Sequence, residues 1–220
     1  MKKKFILGGV SFVAFLVLAA LLLKVDVAAV GPNGSMIGLS SLNKAVFEFF
    51  GESNFWDKIT DGFLAISLGI ALVFVLIGIR QLIKRKSIAK IDKELFALAG
   101  LYVVMAILYV FFEKVAINYR PIFESDGTLE PSFPSTHTLA SCVLAGSAAL
   151  VMRKYVRNER ACKLLRFACV GIMIVTPIGR ILAGKHWITD VFGGYLLSSA
   201  LLFTFWGTLA LLCNPKTAKK

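Results

Sequence analysis

The chain has 220 residues, 57% of them hydrophobic, and a formal net charge of +12. Its mean hydropathy of +0.76 comes from long uninterrupted apolar runs, which excludes a soluble globular domain and marks an integral membrane protein. The excess of lysine and arginine would suggest a nucleic-acid partner in a soluble chain. Here it is gathered between the apolar runs without the interleaved aromatics of a base-stacking surface, so no nucleic-acid partner is expected.

A helix crosses a bilayer with roughly 17 to 25 apolar residues. In chain order the runs that approach this length are 5–23, 63–79, 95–112, 139–152, 164–182 and 191–213. The expected fold class is therefore all-α, a polytopic membrane protein of about six transmembrane helices packed as one bundle, with residues 1–220 forming a single domain. Lys2 to Lys4 and the "VAA" at 27–29 give the first run some features of a signal peptide. Its 19-residue apolar core exceeds the roughly 7 to 15 of such a segment, so a retained helix is expected. The fourth run is short, and its helix is expected to begin earlier, inside the "PSTH" at 134–137.

Crossing six helices places all the basic clusters on one side: Lys2 to Lys4, the cluster from Arg80 to Lys93, the cluster from Arg153 to Arg166, and Lys216, Lys219 and Lys220. By the positive-inside rule that side is the cytoplasm. This predicts a multi-pass plasma-membrane protein with both termini cytoplasmic. The four cysteines, Cys142, Cys162, Cys169 and Cys213, fall in or beside helices at irregular spacing, so neither a disulfide nor a zinc site is expected.

Three connections then lie outside. The first, 24–61, holds "GPNGS" and a stretch in which Leu42, Val46, Phe49 and Phe50 recur at helical spacing behind Ser41 as a cap, predicting an amphipathic interfacial helix with Trp56 at headgroup level. The second, 113–137, contains Pro121, Pro131 and Pro134, a tight turn at Asp126-Gly127, and the acids Glu124, Asp126 and Glu130, which read most simply as a solvated face. The third is the short "GRILAGKHWITD" at 179–190.

Charges at bilayer depth are costly and usually mark function, and the two histidines of the chain, His137 and His186, both fall in these outer segments. His186 and Asp190 are four residues apart, so an aspartate accepting from Nδ1 would leave Nε2 free as a nucleophile. Taken alone, such a pair reads more readily as a surface or capping contact. Ser135 suits an N-cap for the fourth helix, whose unpaired first-turn N–H groups form an anion cradle. His137 in that turn is placed to hand a proton to a leaving oxygen. Arg120 and Arg180, with Lys114 and Lys185 nearby, supply cations suited to phosphate oxygens.

These segments resemble the three signature motifs of the type 2 phosphatidic acid phosphatases, a group similar to undecaprenyl-diphosphatases and vanadium haloperoxidases. The resemblance is carried by Arg120-Pro121, by "PSTH" at 134–137, and by Arg180, His186 and Asp190 in their spacing. It implies a phosphatase/haloperoxidase-type helical bundle that hydrolyses a lipid phosphate or diphosphate at the outer face, undecaprenyl diphosphate or a glycerophospholipid phosphate, with the bilayer around it and no obligatory protein partner. It implies that His186 attacks phosphorus, Asp190 orients it and His137 protonates the leaving group. Arg120, Arg180, a lysine and the backbone at Ser135 and Thr136 hold the phosphate oxygens, with no metal and no cofactor. The alternatives are a lipid-linked phosphotransferase and an inactive relative that binds or transports lipid phosphate.

The pattern departs from the family at Thr136, where glycine is usual, at Gly179, where serine is usual, and at Glu113, where the first motif has its lysine. Either an irregular helix end brings Lys114 to the phosphate, which is the preferred expectation, or Glu113 pairs with Arg120 and Lys185 supplies the charge.

Overall fold

A computed structural model describes residues 2–124 and 126–212, and all of its long elements are helices. Seven α-helices appear among the described residues: α1 (Lys2–Lys24), α2 (Ser40–Phe50), α3 (Asn54–Arg85), α4 (Lys93–Lys114), α5 (Thr136–Tyr155), α6 (Glu159–Leu182) and α7 (Ile188–Leu212). The expected contributions of Cys213, Lys216, Lys219 and Lys220 lie outside the described residues. Within the described residues every apolar run of the sequence lies on one of the six long helices, and α2 is the short amphipathic one.

By length and apolarity alone five helices suffice to cross a membrane, namely α1, α3, α4, α6 and α7. The sixth, α5, has 20 residues, about 30 Å of helix and enough for the hydrocarbon core. Its apolar run is short because it needs no lipid-facing surface: it packs against α3, α4, α6 and α7. Leu139, Val143, Leu144, Ala145 and Ala148 along it are almost wholly buried. As expected, it starts within "PSTH", where the Ser135 hydroxyl accepts from the Thr138 N–H at 3.4 Å and caps it.

Small residues set how closely the helices approach. On α1 a Cβ at Gly8 would lie 2.8 Å from Thr204 Oγ1 of α7, and on α7 one at Gly207 would lie 2.7 Å from the Phe5 ring. Such positions let helices meet in a bilayer, where lipid tails are as apolar as leucine and close packing must drive association. The outward faces of α1, α3, α4 and α6 carry exposed Ile, Val, Leu and Phe, as lipid-facing surfaces should.

The two ends of the bundle differ. At one end Lys4 stacks over the Trp206 ring at 3.8 Å, and Arg85 and Lys154 both reach Asp92 at the start of α4, at 2.9 and 3.4 Å. Burial acts to raise the Asp92 pKa, but hydrogen bonds from Arg85 and Gln81 and the charge of Lys154 hold it down at about 2. The opposite end gathers α2 and the segments 115–135 and 183–187.

Two local expectations need correction. Ser41 is not the cap of α2: Asp26 reaches across to accept from the Ser40 hydroxyl at 2.9 Å and the Ser41 N–H at 2.7 Å, so the carboxylate of a preceding turn does the capping. And α3 begins at Asn54, well before its apolar run, so residues 54–61, read from sequence as connection, are two turns of helix. Apolarity locates where a helix is in lipid, not where it stops. The 32 residues of α3 span about 48 Å, more than the roughly 30 Å of a hydrocarbon core.

Candidate active site

The segment 115–135 folds back on itself. The Arg120 N–H donates to the Glu130 carbonyl at 3.0 Å and the Ser132 N–H to the Asn118 carbonyl at 2.9 Å, with the reversal at Asp126-Gly127, where Gly127 has φ +80°. Trp187 Nε1 donates to the Tyr119 carbonyl at 2.7 Å, tying this segment to the turn after α6. The Ser135 N–H donates to the Asp190 carbonyl at 2.9 Å, tying it to the start of α7. Two stretches distant in sequence, 115–135 and the turn leading into α7, thus form one surface.

That surface encloses a cavity of about 340 Å3 lined by Asp57, Asp61, Arg120, Glu124, Asp126, Glu130, His137, Arg180 and Lys185. Arg180 is 1% exposed on the last turn of α6 and Arg120 is 8% exposed. Their guanidinium groups are held by carboxylates. Arg120 Nη1 lies 2.6 Å from Glu124 and Nη2 lies 3.0 Å from Glu130, while Arg180 Nη1 lies 2.7 Å from Asp57 and 3.6 Å from Asp61. Lys185 reaches the other oxygen of Glu124 at 3.1 Å. The Nε of both arginines is buried without a partner, an unspent donor on each fork.

His186 is 3% exposed. Its Nδ1 is 3.1 Å from the Ser132 carbonyl oxygen and 3.7 Å from Asp190 Oδ2. The expected Asp190 acceptor is thus beyond hydrogen-bond range, and a backbone carbonyl takes that place. A carbonyl only accepts, so Nδ1 carries the proton and Nε2 presents a lone pair. Nε2 is buried and without a hydrogen-bond partner. Burial, and then the charges of Arg180, Arg120 and His137, push the His186 pKa well below its usual 6.5 against the opposing Ser132 bond, so the ring is neutral near neutral pH.

Asp190 is fully buried, and its Oδ2 accepts from the Trp187 N–H at 2.9 Å. It holds the backbone beside His186 instead of gripping the ring. At α5, Thr136 donates its hydroxyl to Glu113 at 3.2 Å, and His137 Nε2 lies 3.0 Å from Asp61.

Of the residues expected from sequence, Arg120, His137, Arg180 and Lys185 line the cavity, His186 and Asp190 are buried and are not among its lining residues, and Ser135 and Thr136 head α5. Lys114 does not line it. The helix α4 runs regularly to Lys114, which is exposed, and Glu113 is turned inward to Thr136 instead of Arg120. The lysine beside Glu124, which it shares with Arg120, is Lys185.

The sequence reading passed over Asp57 and Asp61, assigned to a connection, and Gly193 and Gly194. A Cβ at Gly193 would lie 2.3 Å from the Phe133 ring and one at Gly194 2.6 Å from the Ser135 carbonyl oxygen, so this pair seats the "PSTH" segment on α7. Two adjacent glycines within an apolar helix, one turn after Asp190, were the available signal.

The family model for the PAP2 superfamily matches residues 93–211, which span α4 to α7 and hold all three motif segments. The chain belongs to the PAP2 superfamily. Phosphatidylglycerophosphatase B of Bacillus subtilis (strain 168) is 28% identical over 98 residues, covering 44% of this chain. The chain spans about half of that relative's length, 47%. Among solved structures, the transmembrane PAP2-type phosphatidylglycerolphosphate phosphatase of Bacillus subtilis superposes with a TM-score of 0.62 at 20% identity, over 95% of this chain and 98% of that one. At that identity the likeness concerns the fold, and it extends beyond the family region to α1, α2 and α3.

Proposed function

We propose that this PAP2 protein is an integral-membrane phosphatase that hydrolyses a lipid phosphate at the extracytoplasmic face through a phosphohistidine on His186. The observation that carries the reading is the buried, unpartnered Nε2 of His186, whose ring feels the charge of two arginines that each keep an unspent Nε donor. The carboxylates now resting on those arginines stand where phosphate oxygens would bind.

In this reading the phosphoryl group settles between Arg120, Arg180 and Lys185, displacing Glu124, Glu130 and Asp57, with the N–H of Thr136 at the start of α5 as a further donor. The Nε2 lone pair of His186 attacks phosphorus, an N–P bond forms and the P–O bond to the lipid breaks. The leaving oxygen takes a proton from His137. Water, giving a proton back to His137, then attacks the phosphohistidine and releases phosphate. The arginines stabilise charge on the equatorial oxygens throughout. The Ser132 carbonyl keeps His186 in the nucleophilic tautomer, and Asp190 fixes the turn that carries it.

The outer placement rests on the site lying at the end of the bundle opposite Lys4, Arg85 and Lys154. A glycerophospholipid phosphate as substrate is supported by the name of the Bacillus subtilis relative. The test is phosphate release by purified protein from phosphatidic acid, phosphatidylglycerophosphate and undecaprenyl diphosphate. His186→Ala should lower kcat by about 1000-fold or more. Release equal in wild type and variant on all three would overturn the reading and favour a binding role.

A further inference from the structure

Two acids from outside the residues matched by the family model face this cavity. Asp57 and Asp61 lie one turn apart on α3, which precedes the residues 93–211 matched by the family model. Asp57 bonds Arg180 at 2.7 Å, and Asp61 lies 3.0 Å from His137 Nε2 and 3.6 Å from Arg180. Packing holds them there. A Cβ at Gly179 of α6 would lie 2.5 Å from Thr60 Cγ2 and 3.2 Å from Trp56, so the bare backbone of Gly179 is what lets α3 approach.

The cavity lining holds Asp57, Asp61, Glu124, Asp126 and Glu130 against the fixed cations Arg120, Arg180 and Lys185. A phosphoryl group bound above His186 occupies those cations and leaves carboxylates around its other side. The leaving oxygen has to meet His137 Nε2 to receive its proton. Whatever that oxygen is attached to therefore lies beside Asp61. A second phosphate at that position would set like charges together with every cation already engaged. A hydroxyl or ammonium there would instead donate to the carboxylate.

We propose that Asp61, backed by Asp57, is a specificity-determining residue that selects lipid monophosphates with a neutral, hydroxylated or cationic leaving group over lipid diphosphates. The proposal rests on the phosphatase reading above and names the substrate class for that same site. The Asp61 side chain is 57% exposed, so solvent screens the repulsion, and the discrimination is on the order of tenfold.

The experiment compares two substrates with the same tail, dioctanoyl phosphatidic acid and dioctanoyl diacylglycerol pyrophosphate, in detergent micelles. The ratio of their kcat/KM values is read within each protein sample, so the active fraction cancels. Wild type should favour the monophosphate. Asp61→Asn should move the ratio toward the diphosphate by about tenfold, Asp61→Glu should keep the wild-type preference, and added salt should narrow the wild-type gap. A wild-type preference for the diphosphate overturns the proposal. So does a ratio unmoved by Asp61→Asn or, should that variant be inactive, unmoved by salt. Failure of wild type to release phosphate from either lipid above His186→Ala overturns the phosphatase reading itself, and this proposal with it.

Discussion

At the level of single residues, the site was legible because ionisable groups are conspicuous in an apolar chain. Arg120, His137, Arg180, His186 and Asp190 stood out by type and spacing, and the fold brings them to one end. The sequence did not reveal which group holds the His186 ring, because the Ser132 carbonyl is backbone and has no letter of its own. Nor did it decide between Lys114 and Lys185, which depends on how α4 ends. The regular last turn of α4 turns Glu113 inward to Thr136 and leaves Lys114 exposed, whereas Lys185 shares Glu124 with Arg120. Lys185→Ala should therefore lower kcat/KM on phosphatidic acid about tenfold, the loss of one charge-assisted phosphate contact. Lys114→Ala should leave it within about twofold. The opposite order would return Lys114 to the site.

At the level of elements, the six long helices were readable from apolar runs, but their ends were not. The polar first turns of α3 looked like connection because hydropathy reports contact with lipid and is silent on helicity. The depth at which α3, α6 and α7 pack was hidden for a related reason, since a glycine says that something comes close without saying what. Gly194 is the sharpest case. Its added Cβ would meet the carbonyl of Ser135, a backbone atom that cannot rotate away, whereas Gly171 on α6 has nothing within 4 Å. Gly194→Ala should displace the start of α5, cost about 1–3 kcal/mol through overpacking and lower kcat because His137 moves with that turn. Gly171→Ala should change neither. Thermal unfolding in detergent and phosphate release, measured on both variants, check this. A Gly194→Ala protein with wild-type stability and kcat would show that the contact is not a constraint.

For the whole molecule, charge and packing prescribe an orientation together. The helix that carries the cap of the phosphate cradle, α5, is enclosed by its neighbours and contributes little to lipid contact. Orientation is therefore set by the connections, and Arg85 and Lys154 meet at Asp92 on the end opposite the cavity. In the orientation proposed above, the bias in lysine and arginine would put that end in the cytoplasm and leave the cavity facing outward, where a lipid can present its headgroup without leaving the bilayer. The described cysteines are buried, so new ones can report sidedness in a Cys213→Ser background. Ala116 and Lys90 are exposed at opposite ends. In intact cells a membrane-impermeant maleimide should label Ala116→Cys and should label Lys90→Cys only after permeabilisation. The reverse pattern would put the cavity in the cytoplasm and oblige the substrate to come from the inner leaflet. The catalytic assignments would survive that result, because they depend on distances within the site and not on the side it faces.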